Sequence, residues 1–136
     1  MVAMASGAAF YRNGKLNFLP VVKAVLRAPD KAKSLDLELI VDTGFQGGVL
    51  ISLRDYLALG LNLFEEGRVI ARAAVGRETW LRFSRVEVEI AGISAECRAY
   101  TSLGVRKPLL GREFLKSAGL HYEPPSRLEI GFAQKG

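Results

Sequence analysis

The sequence predicts a mostly β fold: a small closed β-barrel with two short helices. Two strictly alternating stretches carry that expectation. In "LDLELIVD", Leu35, Leu37, Leu39 and Val41 share one face and Asp36, Glu38, Ile40 and Asp42 the other; in "VEVEI", Val86, Val88 and Ile90 oppose Glu87 and Glu89. A period of two puts successive side chains on opposite sides of a strand. The third observation is that only two short windows suit a helix, so strands do not alternate with long helices as βαβ units require.

The first element is a hairpin. "FYRNGKLNF" sets Asn13-Gly14 between apolar arms, a pair that supplies the positive φ angles of a tight type I′ turn. "LPVVKAVLRA" continues as a strand, and "RAPDKAK", from Arg27 to Lys33, is a solvated turn before the alternating strand that ends at Asp42. Beyond the loop "DTGFQGG", the branched run "VLI" reads as a buried strand. Ser52 then caps a short helix with Leu53, Tyr56 and Leu57 on its apolar face, and Gly60 is suited to the left-handed residue after its last turn.

"RVIARAAV" and "TWLRF" flank a hairpin tip at Gly76, and Trp80 beside that tip fits a core residue better than an anchor for the hairpin. "AG" turns "VEVEI" into "ISAECRAYT". The second helix occupies "LLGREFLKSAG" and closes at Gly119, and "LHYE", "PPS" and "RLEIGF" read as strand, turn, strand. With no internal repeat, linker or low-complexity segment, residues 1–136 are expected to form a single domain.

A chain of 136 residues, 49% hydrophobic and 24% charged, can build a core without disulfides or metals. Its apolar runs fall far short of the ~20 residues that cross a bilayer, so no membrane association is expected. "MVAMASGAAF" lacks a basic region leading a long apolar one and does not read as a signal peptide. Cys97 stands alone, which suits a reducing, cytoplasmic setting. The net charge of +5 is scattered, without the interleaved aromatic stripe of a nucleic-acid binder, which argues against nucleic acid as a partner.

Elimination narrows the chemistry. The one histidine, His121, sits beside a tyrosine in a strand, where a structural role outweighs that of a base. No serine occupies a G-x-S-x-G elbow, and Cys97, between Glu96 and Arg98 in a strand, reads as a buried inert thiol. The chain lacks the several Cys or His residues of a zinc site, and "GFQGG" is not followed by the Lys-Ser or Lys-Thr of a P-loop; no metal or cofactor is expected. What remains is Asp42, an ionisable residue in the loop between "LIV" and "VLI". It is either a turn-forming aspartate or a placed catalytic carboxylate.

The "VDTG" segment, the apolar strand after it, the β-rich middle and the downstream "LLGREFL" resemble the retropepsins, the single-domain aspartic proteases of retroviral type, and in particular their cellular prokaryotic members. The resemblance spans about residues 35–120, with the N-terminal hairpin preceding it. It implies that Asp42 is the catalytic carboxylate, that Thr43 is the buried hydroxyl locking two catalytic loops across a dimer, and that Gly44 lets the backbone approach carboxylate and substrate. Leu109, Leu110 and Gly111 would brace that loop, and Arg112 would hold the helix mouth near the dimer contact. The hairpin around Val75, Gly76, Arg77 and Glu78 would be the flap over the substrate, with Phe45 and Gln46 in the cleft. Phe45 replaces the small residue usual after the glycine, and Gln46 an aspartate common in retroviral members.

The implied chemistry uses two carboxylates and one water. The chain has four aspartates, Asp30, Asp36, Asp42 and Asp55, and only Asp42 lies in a D-T-G or D-S-G. A working site therefore takes Asp42 from each of two chains, at the axis of a homodimer. The resulting expectation is an aspartic endopeptidase acting on peptides or unfolded protein. The alternative is a dimeric peptide- or protein-binding module on the same fold, with little or no catalysis.

Overall fold

The computed structural model describes residues 9–13, 18–72, 78–123 and 127–130. Ten strands fall within them: β1 (Ala9–Asn13), β2 (Phe18–Arg27), β3 (Ser34–Val41), β4 (Val49–Leu50), β5 (Gly67–Arg72), β6 (Glu78–Ile90), β7 (Ile93–Thr101), β8 (Leu109–Leu110), β9 (Leu120–Glu123) and β10 (Arg127–Ile130). Two short helices accompany them, α1 (Leu53–Ala58) and α2 (Arg112–Ala118), with a 3-10 turn at Leu61–Phe64. The fold is mostly β, as the alternation predicts.

Eight strands form one sheet in the order β1-β2-β3-β8-β4-β7-β6-β5, and a further pairing of β2 with β6 closes the six from β2 to β6 into a ring. In that closing seam Val25, Leu26 and Arg27 lie opposite Glu89, Val88 and Glu87. The Arg27 guanidinium donates to Glu87 at 3.1 Å and Glu89 at 2.9 Å, tying the seam on its outer side. Alternation explains the ring: Leu39 and Val41 of β3 and Val86, Val88 and Ile90 of β6 turn inward, where Val22, Leu26, Val49, Ile51, Tyr56, Leu110 and Phe114 meet them. Burying side chains of this kind contributes roughly 1.5–3 kcal/mol each.

The Ser52 hydroxyl accepts the Asp55 N–H at 3.2 Å and caps α1. Gly60 takes the left-handed conformation after the helix, where the chain passes into the 3-10 turn. β6 and β7 are joined by a two-residue turn with Ala91 at φ 48° and Gly92 at φ 85°.

Three sequence expectations change. Asn13 is paired with Phe18 in the ladder, so it ends a strand instead of occupying the centre of a two-residue turn. Leu109 and Leu110 are not helical; β8 is inserted parallel to β3 and antiparallel to β4, and the helix starts only at Arg112. Trp80 is not core but 62% exposed. It shares the parity of Val86 and Val88, yet β6 outruns its neighbour: β7 pairs no farther than Arg82, and beyond that β6 pairs with β5 alone. No inner layer remains there to cover the indole. The hairpin-tip residues Val75, Gly76 and Arg77, and the "PPS" turn, lie outside the described residues.

A left-handed alanine costs roughly 1–2 kcal/mol that asparagine or glycine largely avoids. Ala91→Asn, which makes an Asn-Gly turn, is therefore expected to raise stability by about 1 kcal/mol, read as a higher urea midpoint at unchanged slope. A fall in that midpoint would show the turn to be unstrained. Cys97 is 2% exposed, and burial, helped by the nearby Glu113 and Glu96 carboxylates, pushes its thiol up to about 12. Thiol reagents should then label the native protein only as fast as it opens; prompt labelling without denaturant would contradict the buried placement.

Candidate active site

Asp42 is the first residue beyond β3, and its position is set by β8. The Ile40 N–H donates to the Pro108 carbonyl and the Asp42 N–H to the Leu110 carbonyl, both at 2.9 Å, so the ladder holds the backbone right up to the aspartate. The chain then turns. Phe45 N–H donates to the Asp42 carbonyl at 3.1 Å, and Gly44 N–H donates to Asp42 Oδ1 at 2.9 Å. This is the local side-chain-to-backbone turn to which aspartate is suited. It also orients a half-buried carboxylate, and Gly44 fits because a Cβ there would stand 3.1 Å from Oδ1.

The start of α2 locks the loop from behind. Gly111 N–H donates to the Gly48 carbonyl at 2.7 Å, Arg112 N–H to Phe45 at 2.8 Å and Glu113 N–H to Gly47 at 3.2 Å. A helix start leaves N–H groups without intrahelical partners. α2 has no side-chain cap, and loop carbonyls fill that role. Such close approach requires glycine: a Cβ on Gly111 would fall 2.2 Å from the Gly47 oxygen and 2.5 Å from the Phe45 ring, and one on Gly48 would fall 2.5 Å from Cys97 Sγ. The Glu113 carboxylate accepts the Arg98 N–H at 2.6 Å and fastens the helix to β7.

In front of the loop lies a cleft of about 500 Å³ between Gly44, Phe45 and Gly47 on one side and Val69, Ala71 and Leu81 of the β5–β6 hairpin on the other. Tyr100 forms its base, edge-on to the Phe45 ring at 5.8 Å and against Phe83 at 5.5 Å. Among the described residues no acidic or basic side chain lines it. A second hollow, about 760 Å³, lies on the helix side, bordered by Thr43, Gln46, Arg112 and Glu113. Among the described residues no group of three or more His, Cys, Asp or Glu side chains could hold a metal ion.

The structure brings together most of the residues the sequence points to. Asp42, Thr43, Gly44, Phe45, Gln46, Leu109, Leu110, Gly111 and Arg112 surround one loop. Thr43 is exposed in this chain, so the burial implied by the resemblance requires a partner. Arg112 contributes its backbone N–H to the loop, and among the described residues its guanidinium has no ion pair. Phe45 does not plug the cleft; its ring lies against Tyr100 as a wall. Sequence reasoning missed Val69, Ala71, Leu81 and Tyr100, as well as the Glu113–Arg98 link. Parity within "RVIAR" puts Val69 and Ala71 on one face, yet Ile70 also borders the cleft, and nothing local marks Tyr100, which β7 carries to it by pairing with β6.

No family model and no curated protein matches the chain. Solved structures do. The chain superposes on a retropepsin-like aspartic protease from Rickettsia conorii with a TM-score of 0.66 at 16% identity, covering 96% of this chain and 93% of that one. It superposes on EIAV protease, solved in complex with the inhibitor HBY-793, with a TM-score of 0.56 at 15% identity, covering 78% of this chain and 93% of that one. Identity this low speaks for the fold, and the fold is retropepsin-like.

Proposed function

We propose that the chain is one half of a homodimeric aspartic endopeptidase, a single domain whose closed barrel presents Asp42 at the dimer axis. The observation that carries this reading is the Asp42 carboxylate, held on the Gly44 N–H at 2.9 Å in a loop that also borders an uncharged cleft. The retropepsin-like fold supports it.

In this reading two Asp42 carboxylates, one from each chain, face a single water. Like charges at close range cannot both ionise, so the pair shares a proton. The ionised member removes a proton from the water as it attacks the scissile carbonyl, while the protonated member donates to the carbonyl oxygen. Among the described residues of one chain no acid lines the cleft to partner Asp42, so monomers are inactive. Thr43 and the helix-side hollow suit a seat for the partner's loop. The substrate lies extended between the catalytic loop and the β5–β6 hairpin, its backbone bonding as an added strand would.

Two substitutions separate chemistry from scaffold. Asp42→Asn is expected to lower kcat by at least about a thousandfold while the melting temperature moves only a few degrees. Gly111→Ala forces a Cβ into the loop backbone and should cost about 2 kcal/mol or more in stability along with the activity. The assay is peptide-library cleavage over about pH 3 to 8. Rates should peak where the carboxylate pair carries one proton and fall more steeply than linearly on dilution, as dimerisation requires. Cleavage retained in Asp42→Asn would overturn the peptidase reading. Peptide binding without cleavage, from a folded wild-type dimer, would favour the binding module.

A further inference from the structure

We infer that Phe45 is a specificity-determining residue: its ring is a fixed wall of the cleft and limits the substrate side chain seated against it to a small apolar one. The inference rests on the peptidase reading above and goes further, to the selectivity of that site.

Two backbone hydrogen bonds and three close neighbours hold the ring. Its backbone is clamped at both ends, the N–H on the Asp42 carbonyl at 3.1 Å and the carbonyl on the Arg112 N–H at 2.8 Å. The ring stands edge-on to Tyr100 with centroids 5.8 Å apart. Around it the chain has made room: a Cβ on Gly47 would lie 2.7 Å from Phe45 Cζ, and one on Gly111 would lie 2.5 Å from Cδ2. The missing side chains of two glycines are thus the seat of one benzyl group. Tyr100 cannot yield either, since its other side meets Phe83 at 5.5 Å.

A wall packed this closely resists shifting to admit a larger guest, because close-packed side chains move only by giving up their contacts. The facing wall supplies Val69, Ala71 and Leu81. A substrate side chain entering between these walls meets no charged side chain among the described residues and, at Phe45, a ring where a smaller residue would leave room. Size is therefore what this wall can discriminate; charge is excluded by the desolvation it would suffer.

The test is a peptide series identical except for Ala, Val, Leu or Phe at the residue nearest the catalytic loop, scanned on either side of the scissile bond. It is cleaved by wild type, Phe45→Ala and Phe45→Leu, each with its Asp42→Asn counterpart. The readout is the ordering of kcat/KM within each series, which a general loosening of the loop would lower uniformly without reordering. Wild type should prefer Ala or Val, and both Phe45 variants should move the Phe-to-Ala ratio toward the larger residue by about tenfold or more. Phe45→Leu keeps an apolar side chain in the seat, so it serves if Phe45→Ala does not fold. Cleavage with the same ordering in all three proteins overturns the inference and leaves the peptidase reading standing. Absence of any Asp42-dependent cleavage overturns both.

Discussion

Three backbone hydrogen bonds between the start of α2 and the loop at residues 45–48 are the constraint on which the rest of the site depends. A helix start needs acceptors for its first N–H groups, and a loop turning between two buried strands needs donors for its carbonyls. Here each satisfies the other without a side-chain cap. Backbone contact at this range excludes Cβ atoms at Gly48 and Gly111, while at Gly47 the Phe45 and Tyr100 rings exclude one. It also draws the Cys97 thiol under the loop and leaves the space that the Phe45 ring fills. Loop, helix and thiol are one packed unit, and the carboxylate inherits its position from that unit.

The two walls of the cleft are held very differently. The loop wall is tied to β8, a strand of only two residues bonded to β3 on one side and β4 on the other, in the middle of the ring. Leu110 and Phe114 are fully buried behind it. The opposite wall belongs to β5, which among the described residues pairs only with β6, and to the part of β6 beyond the reach of β7. Fewer buried contacts mean a lower free energy of local opening. The structure thus pairs a fixed carboxylate with a hairpin whose attachment is one strand wide, an asymmetry that suits a site admitting an extended chain past one side.

The strand pattern was legible because burial on one face imprints a period of two: Leu39 and Val41, and Val86, Val88 and Ile90, all lie where alternation puts them. The Asp42 loop was legible because a charged residue between two apolar strands needs a reason. Other features lay outside any local window. Leu109-Leu110 looks like the first turn of the helix it precedes; its strand character comes from being threaded between β3 and β4, residues some seventy and sixty positions away in the chain. Trp80 has the right parity for the core and the wrong place, because strand length against a neighbour is a tertiary quantity. The β2–β6 seam, with Arg27 bridging Glu87 and Glu89, joins the first third of the chain to the last half and leaves no signature in either. Alternation assigns faces; only packing decides which faces have something to face.

That distinction bears on where selectivity can reside. A surface discriminates between guests in proportion to the cost of its own displacement, so a wall attached through one strand follows its ligand while a wall packed from behind rejects what does not fit. On the loop side the chain has placed an aromatic ring, three positions after the carboxylate, in a seat made by two glycines and a tyrosine. The same hydrogen bonds that fix Asp42 fix Phe45, since the ring's own residue donates to the Asp42 carbonyl and accepts from Arg112. Orientation of the Asp42 carboxylate and the shape of the space beside it are therefore not separable in this loop. A change that softens one softens the other, and selectivity in such a site is carried by its most rigid element.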